Sequence, residues 1–169
     1  MAHGGHLKSQ LVVAFAILAV GMPAAGAAQA IRTLNDLPKP VADVFATACA
    51  ADNWISGKRE LAGSSTSTFE DGTKAYLLVC GDAASTVPFT AIVLSTAGVA
   101  REAKLNWRLG RKSLENAGLS NARFGAPGTG TIVSRTHESA TCEPTYTHAW
   151  DGKAFQLKRV NRRGCRTGE

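Results

Sequence analysis

No stretch of the 169 residues is apolar for long enough to cross a bilayer. The longest run, LVVAFAILAVGM at 11–22, has twelve residues, and a spanning helix needs about 20. Other absences narrow the chemistry. The four cysteines contain no C-x-x-C pair, which argues against a zinc site. G-x-S-x-G is missing, and with it the usual hydrolase nucleophile turn. Outside the first thirty residues the only histidines are His137 and His148. These two are the only imidazoles open to a nucleophile–base set.

Residues 1–30 read as a cleaved signal peptide. Lys8 and the amino terminus supply a weakly positive start, and the short apolar run ends at Pro23 and Gly26. "AQA" at 28–30 places small residues where the peptidase reads them, so the cut is expected before Ile31. The competing reading is an uncleaved anchor reaching to Ala30, but an Ala/Gly/Pro tail makes a poor span. No cysteine lies near the cut, so no lipid attachment site is evident, and His3 and His6 leave with the leader. The mature chain, 31–169, is long enough for one domain with a real core. It loses one basic residue and keeps all 13 acidic ones, so the formal charge, +6 for the whole chain, stays positive. An even set of cysteines in an oxidising compartment reads as disulfides. The expected location is periplasmic or secreted.

The clearest helix lies in NDLPKPVADVFATACAADNW. Asn35 or Asp36 can cap it, and Pro38 and Pro40 suit its first turn. Val41, Val44, Phe45, Ala48 and Cys49 form one apolar stripe at helical spacing. Beyond residue 57 the pattern turns to strands. Tyr76, Leu78 and Cys80 share one face of KAYLLVCG, and PFTAIVLST is apolar on both faces, like a central strand. TAG at 96–98 marks a hairpin. VAREAKLNWRL alternates as one strand, with Val99, Ala103, Leu105, Trp107 and Leu109 on its apolar side. GSSTSTFEDG reads as a polar loop or edge strand. KSLENAGLS reads as a helical turn ended by Gly118, and NARF with TIVSRTHES as a hairpin around GAPGTG. No linker, repeat or second domain stands out.

HAWDGKAFQL at 148–157 carries an Asp-Gly pair between extended runs, the signal of a two-residue type I′ hairpin. That register sets Trp150 opposite Lys153, His148 opposite Phe155 and Tyr146 opposite Leu157. Tyr146, His148, Trp150, Phe155 and Leu157 then share one mostly apolar face. His148 is expected to be packed there with one hydrogen bond. The hairpin also draws Cys142 towards Cys165, which favours the pairs Cys142–Cys165 and Cys49–Cys80. Four cysteines allow three pairings, and the spacing does not eliminate the other two.

The C-terminal third, with Asn121, Ala122, Phe124, Thr129, Gly130, Thr131, Cys142, Trp150, Asp151, Gly152, Phe155, Leu157, Cys165 and Arg166, resembles a family of exported proteobacterial proteins of unknown function. That family shows an N-A-x-F segment followed by T-G-T, a Cys, a W-D-G-x-x-F-x-L hairpin and a closing Cys-Arg. The resemblance covers about 50 residues and implies export, a disulfide-bonded β-rich domain and an envelope setting; it brings no activity with it. SATCEPT stands where the family has a GDCG-like context.

Chemistry is harder to place. His137 in RTHES fits a solvated strand face. GAPGTGT lacks the Gly-Lys-Ser/Thr ending of a phosphate loop and sits between strands. Glu102, Glu115, Glu138 and Asp151 show no spacing that selects a catalytic pair. Neither a metal nor a cofactor is expected. The basic residues are the better lead. Lys158, Arg159, Arg162, Arg163 and Arg166 cluster near the C-terminus, and Arg101, Lys104, Arg108, Arg111 and Lys112 form a second group. If their strands are neighbours they make a positive surface. The expectation is one α+β domain, an antiparallel meander of about six to eight strands with an N-terminal helix packed on it. Its expected role is non-enzymatic binding of an anionic envelope partner: lipopolysaccharide, peptidoglycan or an acidic protein. Export argues against nucleic acid, and nothing after the leader would span a membrane. AYLLVCG is loosely similar to a strand of bacterial inhibitors of host lysozyme, the second reading. A hydrolase with an unrecognised site is the third, which a pocket around His148 with Glu138 or Glu143 beside it would favour.

Overall fold

The computed structural model describes residues 28–49, 61–81, 86–114, 118–137, 142–162 and 165. They form a mostly antiparallel β structure with one α-helix and two disulfides. Where the sequence suggests one meander, the chain builds two main sheets. The first runs β1 (Gln29–Ile31), β2 (Ser64–Thr68), β3 (Lys74–Val79), β4 (Pro88–Leu94) and β5 (Ala100–Glu102), with β9 (Leu119–Ser120) beside β4. The second runs β10 (Arg123–Phe124), β11 (Thr131–Arg135), β12 (Thr145–Trp150), β13 (Phe155–Asn161) and β6 (Leu105–Asn106). A small hairpin pairs β7 (Arg108–Leu109) with β8 (Lys112–Ser113). The polar segment GSSTST thus enters the first sheet as β2, between β1 and β3.

Both faces of β3 and β4 are covered, which explains their double-sided apolar pattern. Helix α1 (Lys39–Ala48) lays Val41 and Phe45 into one core with Tyr76, Leu78, Cys80 and Ile92. Pro40 sits in its first turn, as expected. Asp36 does not cap α1. It caps the short 3-10 turn before it, where its Oδ2 accepts the N–H groups of Arg32 and Thr33 at 3.0 and 2.8 Å. On the opposite face Ala75, Leu77, Ala91 and Val93 share a second core with Ile132 and Phe155 of the other sheet.

The segment 99–109 is not one strand. Ala103 N–H still bonds to Ala91 in the first sheet, at 2.8 Å, whereas Lys104 C=O already accepts Phe155 N–H of the second. The chain changes sheets between these two residues. Ala103 and Trp107 keep their buried places, but Val99 follows the turn before β5 and Leu109 lies in the small β7–β8 hairpin, and they are 64% and 39% exposed. KSLENAGLS also departs from its reading: Lys112–Ser113 is strand, and 115–117 lie outside the described residues.

The Asp151-Gly152 hairpin is real, but its loop has four residues. Trp150 pairs with Phe155 and His148 with Leu157. Asp151 Oδ1 accepts the N–H groups of Lys153 and Ala154 at 2.9 and 2.8 Å, stabilising the wider loop. Sliding the partner strand by two residues preserves which side chains face inward, so the apolar face survives the corrected register. A bulge between Thr147 and His148 then leaves Lys158 without an opposite residue. Gly152 has φ +91°, and a Cβ there would meet nothing within 4 Å. Gly152→Val therefore carries a backbone cost alone, expected at about 1–2 kcal/mol. A lower urea midpoint would show it; an unchanged midpoint would mean the loop tolerates a β-branched residue at positive φ.

Candidate functional site

The two bridges pair as the hairpin favours: Cys49 with Cys80, and Cys142 with Cys165. The first ties the end of α1 to β3, and the second closes the open end of the β12–β13 hairpin.

The other end of that hairpin is closed by Trp150. Its Nε1–H donates to Asp71 Oδ2 at 3.0 Å, joining the β2–β3 turn to the second sheet across 79 positions of sequence. Its ring packs against Phe69 and Phe155, and the Arg101 guanidinium lies 5.7 Å from the ring centre. Partial burial opposes ionisation of Asp71, but the N–H of Thr73 and the indole outweigh it and hold the carboxyl below its ordinary range. Gly130 has φ +60°, and a Cβ there would come within 3.2 Å of Trp150 Cβ. The T-G-T and W-D-G segments thus meet in space, with Trp150 N–H bonded to Gly130 C=O at 2.8 Å. They border an open depression of about 330 Å³ together with Glu70 and Asp71. Asp71 had no local signal, because its partner is so distant in sequence.

His148 is fully buried. Ile132 and Leu157 flank it on the neighbouring strands, and the Trp107 ring stands edge-on to it at 4.6 Å. The expected single hydrogen bond is not made: neither ring nitrogen has a partner among the described residues. Ser134 Oγ and Trp107 Nε1 are buried and unpartnered in the same way. Desolvation pushes the His148 pKa down to about 4, so the ring is neutral at pH 7. Glu143 does not reach it. That carboxylate lies 3.3 Å from His137 Nδ1 and 3.9 Å from Arg135, both on the surface. Glu102 is exposed, with its Oε1 3.4 Å from the Thr90 hydroxyl. Both Asp151 oxygens are engaged within its own loop. Glu115 and Glu138 lie outside the described residues.

The strands carrying the basic groups are neighbours. Strand β13 runs parallel to β6, with Phe155 beside Leu105 and Gln156 beside Asn106. Strand β13 also contacts β7, which carries Arg108. Arg111 and Lys112 follow on the β7–β8 hairpin. Lys158, Arg159, Arg108, Arg111 and Lys112 are all exposed. None has a carboxylate partner among the described residues. Arg162 extends the line at the end of β13, and its C=O accepts Cys165 N–H at 3.0 Å. Arg163 and Arg166 lie outside the described residues. Arg101 belongs elsewhere, over Trp150, where it also donates to Lys153 C=O at 2.8 Å.

Among the described residues no group of three or more His, Cys, Asp or Glu side chains is placed to hold a metal, and no helix is long and apolar enough to cross a membrane. No family model, curated protein or solved structure matches the chain.

Proposed function

We propose that the protein is an exported, non-enzymatic binding module of the bacterial envelope, similar in kind to the exported family its C-terminal motif resembles. In this reading it engages an anionic partner through the basic face of β13 and the β7–β8 hairpin. The observation that carries the proposal is the parallel β13–β6 pairing. It supports the reading by making neighbours of strands whose exposed cations lie more than 45 residues apart in sequence, none of them with a carboxylate partner among the described residues. Like charges held together without internal partners raise the local potential and favour an anion that bridges them. Lipopolysaccharide phosphates, peptidoglycan carboxylates and acidic proteins all supply such groups. Two disulfides fit an oxidising compartment.

Co-sedimentation of the processed protein with purified envelope fractions tests this. Binding is expected at low salt and should weaken steeply as salt rises, because exposed charges are screened within about 10 Å at 0.1 M. The triple variant Arg108→Glu, Lys158→Glu, Arg159→Glu should lose at least tenfold in affinity without a change in melting temperature. Equal binding by the variant would remove the basic face from the function.

One observation favours the second reading, a lysozyme-inhibitor-like protein: the exposed turns holding Glu70, Asp71 and Asp151 converge around Trp150. It ranks lower because Asp71 and Asp151 already accept hydrogen bonds from the protein itself.

A further inference from the structure

The leader's end and the first strand overlap. Gln29, Ala30 and Ile31 pair with Thr66, Ser65 and Ser64, and β1 is the edge of the first sheet. Ile31 is 4% exposed and belongs to the core under α1, with Leu37, Val41, Phe45 and Leu61. The next residue is tied in as well, since Arg32 C=O accepts Leu61 N–H at 2.8 Å.

A cut before Ile31 would remove two of the three residues paired with β2. It would also place the new ammonium group on a residue whose side chain lies in the core, where a charge is costly. The outer edge of β2 would then lie open, and sheet edges left open invite pairing with other chains. The sequence offers other bonds. In AAGAAQA, residues 24–30, small residues stand three and one positions ahead of the Ala27–Ala28 bond, as Ala25 and Ala27. The Ala28–Gln29 bond has Gly26 and Ala28 in the same positions.

We infer that the signal peptidase cuts upstream of β1, at Ala27–Ala28 or Ala28–Gln29, so that the mature protein keeps its edge strand. Hydrolysis adds one water across the amide, leaving a carboxylate on the departing leader and an amine, protonated at neutral pH, on the mature chain. Ala28 is exposed, so a charge at a start there meets solvent. The inference rests on the export reading above, and the experiment separates the two.

The full-length chain is expressed with its own leader in a bacterium with two membranes, and the exported form is weighed intact. A first residue of Ala28 or Gln29 is expected. A start at Ile31 overturns the inference and leaves export standing, whereas intact Met1 overturns both. The variant Ala30→Arg gives a second readout. It removes the small residue needed for a cut before Ile31 and changes an exposed position of β1. Its first residue should be the same as in the parent; accumulation of uncut precursor would overturn the inference.

Discussion

Between pH 6.5 and pH 4 the folded protein should lose about 3 kcal/mol of stability through His148 alone. The unfolded chain holds this imidazole at its ordinary value of 6.5, whereas burial lowers it to about 4 in the fold. Between those values the unfolded state binds a proton that the folded state refuses, so stability is full above pH 6.5 and drains away as pH falls towards 4. Its ladder partners Ile132 and Leu157 and the Trp107 ring edge-on to it carry no group that titrates in this range. Asp36, Asp71 and Asp151 have lowered pKa values, so their stabilisation persists above 3.8 and is lost only at lower pH. The two windows therefore separate. Urea denaturation at pH 7.0 and 4.5 should show the loss in the parent and a much smaller one in His148→Leu. Equal pH dependence in both would mean that His148 is not the group responsible.

Removing the Cys49–Cys80 bridge is expected to cost a similar amount. The bridge closes a loop across 31 positions, and freeing it restores chain entropy worth about 4 kcal/mol to the unfolded state. Both half-cystines are buried beside Val41, Phe45, Tyr76 and Leu78, so alanine is the less disruptive replacement. Cys49→Ala with Cys80→Ala should melt roughly 10 °C lower than the oxidised parent. A shift under about 3 °C would show that helix packing, and not the bridge, holds α1 in place.

Local pattern carried the reading of some elements and misled it at others. The α1 stripe and the alternation in β3 arise from contacts that repeat every turn or every second residue, so they are visible in a short window. The sheet switch at Ala103–Lys104 is not. No glycine or proline marks it, and the inward parity runs from Ala103 through Leu105 to Trp107 while the partner sheet changes. Hairpin register failed for a related reason. Loops of two and four residues put the same side chains inward, so pattern alone cannot choose between them. The basic groups were legible as charges, but the nearness of their strands depended on the parallel pairing of β13 with β6, a long-range event. The Trp150–Asp71 bond was hidden by its 79-residue span.

The order of the cysteines has a consequence for how such a chain matures. Cys49 pairs with Cys80 and Cys142 with Cys165, so each bridge joins neighbours along the sequence. Each also lies within one half of the molecule: the first sheet is built almost wholly from residues 29–102, the second from 105–161. For a chain exported amino end first, Cys80 emerges when Cys49 is its sole available partner. The first bridge can close before the second pair of thiols has arrived, and the pairing that is kinetically easiest is also the native one. If the chain is exported in this way, maturation calls for an oxidant but not for reshuffling of wrongly joined thiols.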